Sequence, residues 1–501
     1  MKRAGKEMSE KGKGKDQKKR TNQTIAFPKV FANISKFIRC IPLHLDLRSI
    51  IKNTIIFIVF FALTCFICLM IRTQSPLDDI FTTGRISILK NRPANITKDI
   101  IIDISTPASQ GGIMTLTREL IWNIAKKRPN WRLLILISPD ENDKSIYNLP
   151  RGDNVKLIEV SNFVCLFMFL ERILNPKVFG LFHDKLKQLI HHNRIFCDRN
   201  CDLIWDPIGD CCFCNFVTVP RISTIHDIAC FDVDPKFFAT KGHRYRARLC
   251  TESAIHFSKK IITVSEFSQK RICDKFHVSE DSVKHIPIKL GTRVYSNKNS
   301  KKCATVLDKY KLKPQKYFIF CSTWWKNKNH GALMKAFDKF AEKNSDIKLI
   351  LVGRHPDVFE SRPIQEFASD RLIITGFVPD EELGILLKNA LAFIHPSVYE
   401  GFGMPIIEAM ANGIPVACSN VASLPEVAGP AVLFFNPFDT DSITHAMHRL
   451  ADDPQLRKDL IKKGYEQAKK YSDRDAMVDE YIRVMEEVMH ENDLRKAATS
   501  K

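Results

Sequence analysis

No G-x-G-x-x-G run follows a strand anywhere in the 501 residues, so a dinucleotide-binding fingerprint is not indicated. The densest cysteine group, Cys197, Cys201, Cys211, Cys212 and Cys214, has successive gaps of three, nine, zero and one residue. It does not make the two spaced C-x-x-C pairs of a zinc site, and a reduced structural cluster fits better. The 15 cysteines are odd in number and many lie in apolar runs (Cys65, Cys68, Cys165, Cys321, Cys418), as small buried hydrophobes do. Tandem repeats are absent. Acidic residues are scarce at the start: residues 1–52 hold 14 Lys/Arg against 4 Asp/Glu, half of the net charge of +20. A basic protein invites a nucleic-acid reading, but charge confined to a tail beside an apolar run fits a membrane surface better.

Residues 1–24 are lysine-rich and polar, a composition of disorder. Phe27, Phe31, Ile34, Ile38 and Ile41 then recur every three or four residues between Pro28 and Pro42. This suits either an amphipathic helix on an anionic membrane or a helix packed on the rest of the protein. Residues 54–71 are 18 uncharged residues between Lys52 and Arg72, enough to nearly cross a ~30 Å hydrocarbon core. A cleaved signal peptide fits less well, because the run starts late and lacks a small-x-small site. One membrane helix is expected there. Residues 163–170 are too short to span and read as a core helix.

The rest alternates short apolar runs with helical patterns, the mark of parallel α/β sheets. Strands are expected at 99–105, 131–138, 261–265, 317–321, 348–354, 372–375, 391–394 and 414–418, with Ser265 capping a helix. Residues 439–470 and 473–491 read as helices. The most informative stretch is 391–429, strand, loop, helix and strand. Glu400 and Glu408 stand seven residues apart, one in the loop and one in the helix, around Gly401-Phe402-Gly403-Met404-Pro405. Glycines let a ligand approach the backbone, and free amides at a helix start favour a phosphate. Carboxylates beside them can accept from sugar hydroxyls.

HPSVYEGFGMPIIEAMANGIPV resembles the donor-binding signature of retaining glycosyltransferases of family 4, which have the GT-B fold. The resemblance covers roughly residues 99–490. It implies two Rossmann-like α/β domains facing a cleft, after the membrane helix. The organisation then reads as a tail (1–53), a transmembrane helix (54–71) and a linker (72–98). An acceptor-side domain (99–298), a nucleotide-sugar domain (299–473) and a final helix crossing back (474–501) follow. The implied reaction moves a hexosyl group, with a mannosyl preference around TIHD and KNH, from a nucleotide-diphosphate sugar to a glycan or lipid-linked acceptor. No cofactor or metal, and no nucleic acid, is expected. The resemblance assigns Glu408 to the ribose hydroxyls and Glu400 to the donor sugar. It also assigns His226 of TIHD to the reacting centre and Lys328 to the diphosphate. Gly111, Gly112, Gly401, Phe402, Gly403 and Met404 would approach the donor. Asn327 stands where the family commonly has arginine, and Ser322 where it has glycine, so Lys326 is an alternative cation. A non-catalytic scaffold and a GT-B sugar epimerase are the other classes considered. Loop charge would place the catalytic domains outside the cytosol. Nucleotide-sugar supply and the cysteines favour a cytosol-facing site, the orientation expected here.

Overall fold

The structure, a computed structural model, describes residues 92–104, 112–137, 149, 152–159, 201–209, 219–238, 241–289, 300–344, 346–354 and 370–499. The expected tail, amphipathic helix and membrane helix at 54–71 lie outside these residues, as do 163–170, Gly111 and all the clustered cysteines except Cys201. Among the described residues no helix is long and apolar enough to cross a membrane.

Two parallel sheets organise the described chain. The first holds β1 (Lys98–Asp103), β2 (Trp131–Ile137), β3 (Val155–Glu159), β4 (Leu203–Asp206), β5 (Arg221–Ile225), β6 (Lys260–Thr263) and β7 (Val283–His285), in the order β3-β2-β1-β4-β5-β6-β7. The second holds β8 (Tyr317–Cys321), β9 (Lys348–Val352), β10 (Leu372–Gly376), β11 (Ala392–His395), β12 (Val416–Ser419) and β13 (Val432–Phe435), in the order β10-β9-β8-β11-β12-β13. All their pairings are parallel. Helices cover the faces, which is why the WRLLILI of β2 is buried along its whole length rather than alternating.

In each sheet the chain reverses its direction of travel beside the first strand, between β1 and β4 and between β8 and β11. A crevice opens at such a switch point, beyond the carboxyl ends of the strands. The helices that accompany the sheets include α1 (Gly112–Lys127), α2 (Lys241–Phe257), α3 (Glu266–Phe276), α4 (Ser300–Lys309), α5 (His330–Ala341), α6 (Asp380–Lys388), α7 (Met404–Ala411), α8 (Thr440–Asp452), α9 (Pro454–Lys469) and α10 (Arg474–Thr499). Helix α10 runs eight residues beyond the expected 473–491 and packs on β4 and α1 of the first sheet. Its Tyr481 ring lies 5.7 Å from that of Trp205, and Lys127 and Arg128 pair with its Asp479 and Glu486 at 2.7 and 2.9 Å.

Buried charge is fully paired where the first sheet begins. Arg132 donates to both oxygens of Asp99 at 2.7 Å, and Arg92 adds a third contact at 3.1 Å. Isolated, either ion would cost several kcal/mol to bury. At the opposite end of β4, Asp206 takes Arg221 at 2.8 Å and, through its other oxygen, the amides of Ile208 and Gly209. One carboxylate thus fixes the turn beginning at Pro207.

Candidate active site at the carboxyl ends of the strands

The first sheet contributes His226 and Asp227, just past β5. The Pro207 carbonyl, held by the Asp206 turn, accepts a 2.9 Å hydrogen bond from His226 Nε2, so that nitrogen carries a proton and Nδ1 is the free lone pair. Burial lowers the His226 pKa below its ordinary value and keeps the ring neutral near pH 7. Burial pushes the Asp227 carboxyl above its usual range, opposed by the Ala229 amide that donates to it at 2.8 Å and by the Lys328 ammonium.

The second sheet contributes the loops after β8 and β11. Lys328 Nζ reaches Glu400 Oε1 at 2.7 Å, and His395 Nε2 reaches the same oxygen at 3.1 Å. Burial alone would raise the Glu400 carboxyl. The Lys328 charge and then the His395 hydrogen bond outweigh it and hold it well below the usual carboxylate range. Asn327, where the resembled family commonly has arginine, is used structurally: its carbonyl accepts from the Val398 amide at 2.8 Å and its side chain donates to the Tyr399 carbonyl at 3.4 Å. Asn329, in the left-handed region at φ 60°, ties Pro396 and Pro437 to the same turn. Lys326 is exposed. Ser423, fully buried, donates to the Glu400 and Phe402 carbonyls at 2.9 and 3.2 Å and pins the loop from beneath.

Helix α7 begins at this loop. Gly403 starts it in the left-handed region (φ 101°), and no side chain caps its first turn. Glu408, half-buried one turn further on, lies close enough to Cys321 at the end of β8 to help burial push that thiol up. The two sheets meet here. A Cβ on Gly401 would sit 2.0 Å from the His226 carbonyl oxygen, and one on Gly112, first residue of α1, would touch the Met404 methyl at 3.7 Å. The starts of α1 and α7 therefore face the same space.

The sheets are joined around that point by contacts that sequence reasoning did not single out. Glu426 accepts from the Glu266 and Phe267 amides, both at 2.9 Å, so a carboxylate from one sheet's side occupies the first turn of α3 on the other. Ser265 caps the same turn, accepting from the Ser268 amide. Tyr399 donates to Asp232 at 3.0 Å, and Arg271 holds Asp232 from the other side at 2.7 and 3.0 Å. His243 stacks on Trp325 with centroids 5.3 Å apart. Asp232-Val233-Asp234 is an Asp-x-Asp run, but Asp232 is taken by Arg271 and Tyr399, and Asp234 caps the turn at Pro235–Phe237. Among the described residues no three metal-ligating side chains cluster.

The stretch that carries Lys328, His395, Glu400 and Glu408 matches a known family model over residues 307–467, described as Glycosyl transferases group 1. That match covers 161 of the 501 residues. Relatives extend the likeness beyond it. O-antigen chain mannosyltransferase B of Escherichia coli is 36% identical over 257 residues, which take in 50% of this chain and 66% of that protein. MMP alpha-(1->4)-mannosyltransferase of Mycolicibacterium hassiacum is 29% identical over 201 residues, 39% of this chain and 46% of that one. The chain thus matches only part of the length of either relative. Among solved structures, a glycosyltransferase from Rickettsia africae covers 78% of this chain and 99% of its own at TM-score 0.57 and 16% identity. Anabaena HepE, solved with UDP-glucose, covers 78% and 100% at TM-score 0.58 and 16% identity. At such identities the likeness is one of fold, and it extends well beyond the group 1 glycosyltransferase domain to most of the chain. His226, Asp227 and Gly112 lie outside the glycosyltransferase domain and reach its loops through the contacts described above.

Proposed function

We propose that the chain is a retaining family 4 glycosyltransferase of GT-B fold that moves a hexosyl group from a nucleotide-diphosphate sugar to a glycan or lipid-linked acceptor. Mannose is the favoured sugar, in keeping with the names of the two relatives. The observation that carries this reading is the Lys328–Glu400 pair at the uncapped start of α7, with Glu408 one turn along and α1 opening toward the same space. The diphosphate would lie at the helix starts, where backbone amides and Lys328 meet the charge that grows as the bond to the anomeric carbon breaks. The acceptor oxygen replaces the diphosphate oxygen at that carbon, and its proton passes to the departing diphosphate. Glu408 would accept from the ribose hydroxyls, Glu400 from those of the sugar. His226, neutral and with Nδ1 unpartnered among the described residues, would act near the reacting centre as a hydrogen-bond acceptor. The deciding experiment is a screen of GDP-, UDP- and dTDP-sugars for hydrolysis and transfer by the full chain; turnover of none would overturn the proposal.

Glu408→Ala is expected to weaken donor binding by roughly one to two powers of ten, since hydrogen bonds to a charged acceptor are each worth about 1.5–3 kcal/mol. Because the ribose contacts exist in both ground and transition states, KM should rise while kcat changes little. Calorimetric titration with the donor checks it, and unchanged affinity in a folded variant would remove Glu408 from the site.

A further inference from the structure

Both donors on Glu400 go to one oxygen. Lys328 Nζ and His395 Nε2 lie 2.7 and 3.1 Å from Oε1, while among the described residues Oε2 accepts nothing. Two donors approaching one oxygen from different elements fix the plane of the carboxylate as well as its place. A lysine alone cannot do so, because its flexible stem lets the carboxylate turn under it.

His395 stands at the last position of β11, 1% exposed, between the rings of Phe320 (5.5 Å, edge-on) and Phe393 (6.0 Å, stacked). A phenyl ring would suit that slot. The imidazole instead leaves Nδ1 buried with no partner among the described residues, a cost that phenylalanine would not carry. What the histidine gains is the Nε2 contact. Its place on a strand in the middle of the sheet makes that contact rigid: β11 lies between β8 and β12, and the His395 carbonyl is held by Ser419 at 3.2 Å.

We propose that His395 is a positioning residue that, together with Lys328, occupies Oε1 of Glu400 so that Oε2 is presented to the hydroxyls of the donor sugar. The inference rests on the proposed reading of Glu400. It adds a specific division of labour: the nucleotide and diphosphate should not depend on His395, and the sugar should.

The test compares full-length wild type with His395→Phe and His395→Gln, using the nucleotide sugar that wild type turns over and the matching nucleoside diphosphate as an inhibitor. His395→Phe is expected to lower kcat/KM by roughly ten- to hundredfold, the scale of a misplaced reacting group. The inhibition constant of the nucleoside diphosphate should stay within about twofold, as this ligand makes no sugar contact. His395→Gln, whose amide can still donate to Oε1, should recover most of the loss. Equal losses for both ligands would show a merely structural role and overturn the proposal. Wild-type kcat/KM in His395→Phe, or a glutamine variant no better than the phenylalanine one, would overturn it too. Should the phenylalanine variant fail to fold, His395→Asn takes its place, since its amide is too short to reach Glu400 and the same split from His395→Gln is expected. Failure of wild type to turn over any nucleotide sugar counts instead against the proposed function.

Discussion

Lys328→Ala should reduce turnover about a hundredfold, the usual scale for losing one electrostatic contact to a charge that develops in the transition state. The structure gives this substitution a second consequence. Lys328 is also the counter-charge of Glu400, and both side chains are largely buried. Removing it leaves a carboxylate held by His395 alone, at a stability cost on the order of 3 kcal/mol. The sign of the pH effect follows from the same contact. In the wild type the Glu400 carboxyl is held well below its usual range by Lys328 and His395, so it stays ionised as the medium is acidified through that range. In the variant burial is opposed only by the histidine, the carboxyl takes its proton at higher pH, and the acid limb of the rate profile should move upward. Asp227 faces the same ammonium and should shift upward with it. Steady-state rates across pH, beside Lys326→Ala as a control at an exposed lysine, decide the matter. Near-wild-type turnover with an unmoved acid limb would place the diphosphate contact elsewhere.

The other large effect concerns a residue without a side chain. Gly401→Ala would put a methyl carbon 2.0 Å from the His226 carbonyl oxygen and 3.0 Å from Asp227 Cβ. Backbone cannot swing aside as a side-chain tip can, so the loops after β5 and β11 must separate. A displacement of about 1 Å between groups that act together can cost a hundredfold in rate, and overpacking of this kind typically adds about 1–3 kcal/mol of destabilisation. Turnover should therefore fall steeply while most of the fold survives. Gly331→Ala is the matched control, because a Cβ there meets nothing within 4 Å. Similar rates for the two variants would mean that the loops tolerate separation and that His226 acts independently of the second sheet's loops.

Much of the fold could be read because strands buried on both faces write themselves as short apolar runs. KDIIID, WRLLILI, YFIFC, KLILV and AFIH all became strands within one or two residues of the expected ends. Strands β3, β4 and β7 escaped because VKLIE, LIWD and VKH are short and partly polar, and β13 because VLFF, though apolar, is only four residues long. In the site, Glu400 and Glu408 could be picked out from their spacing around a glycine-rich loop, whereas Lys328 and His226 were marked only by the resemblance to family 4 glycosyltransferases. That Lys328 lies on Glu400 could not be read, since 72 residues separate them and only the shared sheet joins β8 to β11. His395 was passed over for the opposite reason. As the last residue of an apolar run it looks like the end of a strand, and only its ring nitrogen's partner shows otherwise. Glu426 belongs to the same class, a helix carboxylate whose role depends on amides 160 residues earlier.

Helix α10 carries a consequence for how the chain is made. Met477, Val478, Tyr481, Val484, Met485 and Val488 are buried on this helix, which packs on β4 and α1, whose residues leave the ribosome far earlier. About 190 residues separate the end of β7 from the start of α10, which at ~5–20 residues per second takes on the order of ten to forty seconds to synthesise. Through that interval Trp205 of β4 lacks the Tyr481 ring that packs against it. The second sheet, whose strands and helices lie within one continuous stretch from α4 to α9, can close its own core first. The order of completion is thus expected to reverse the order of synthesis, because the first sheet gains its last covering helix only when α10 has emerged.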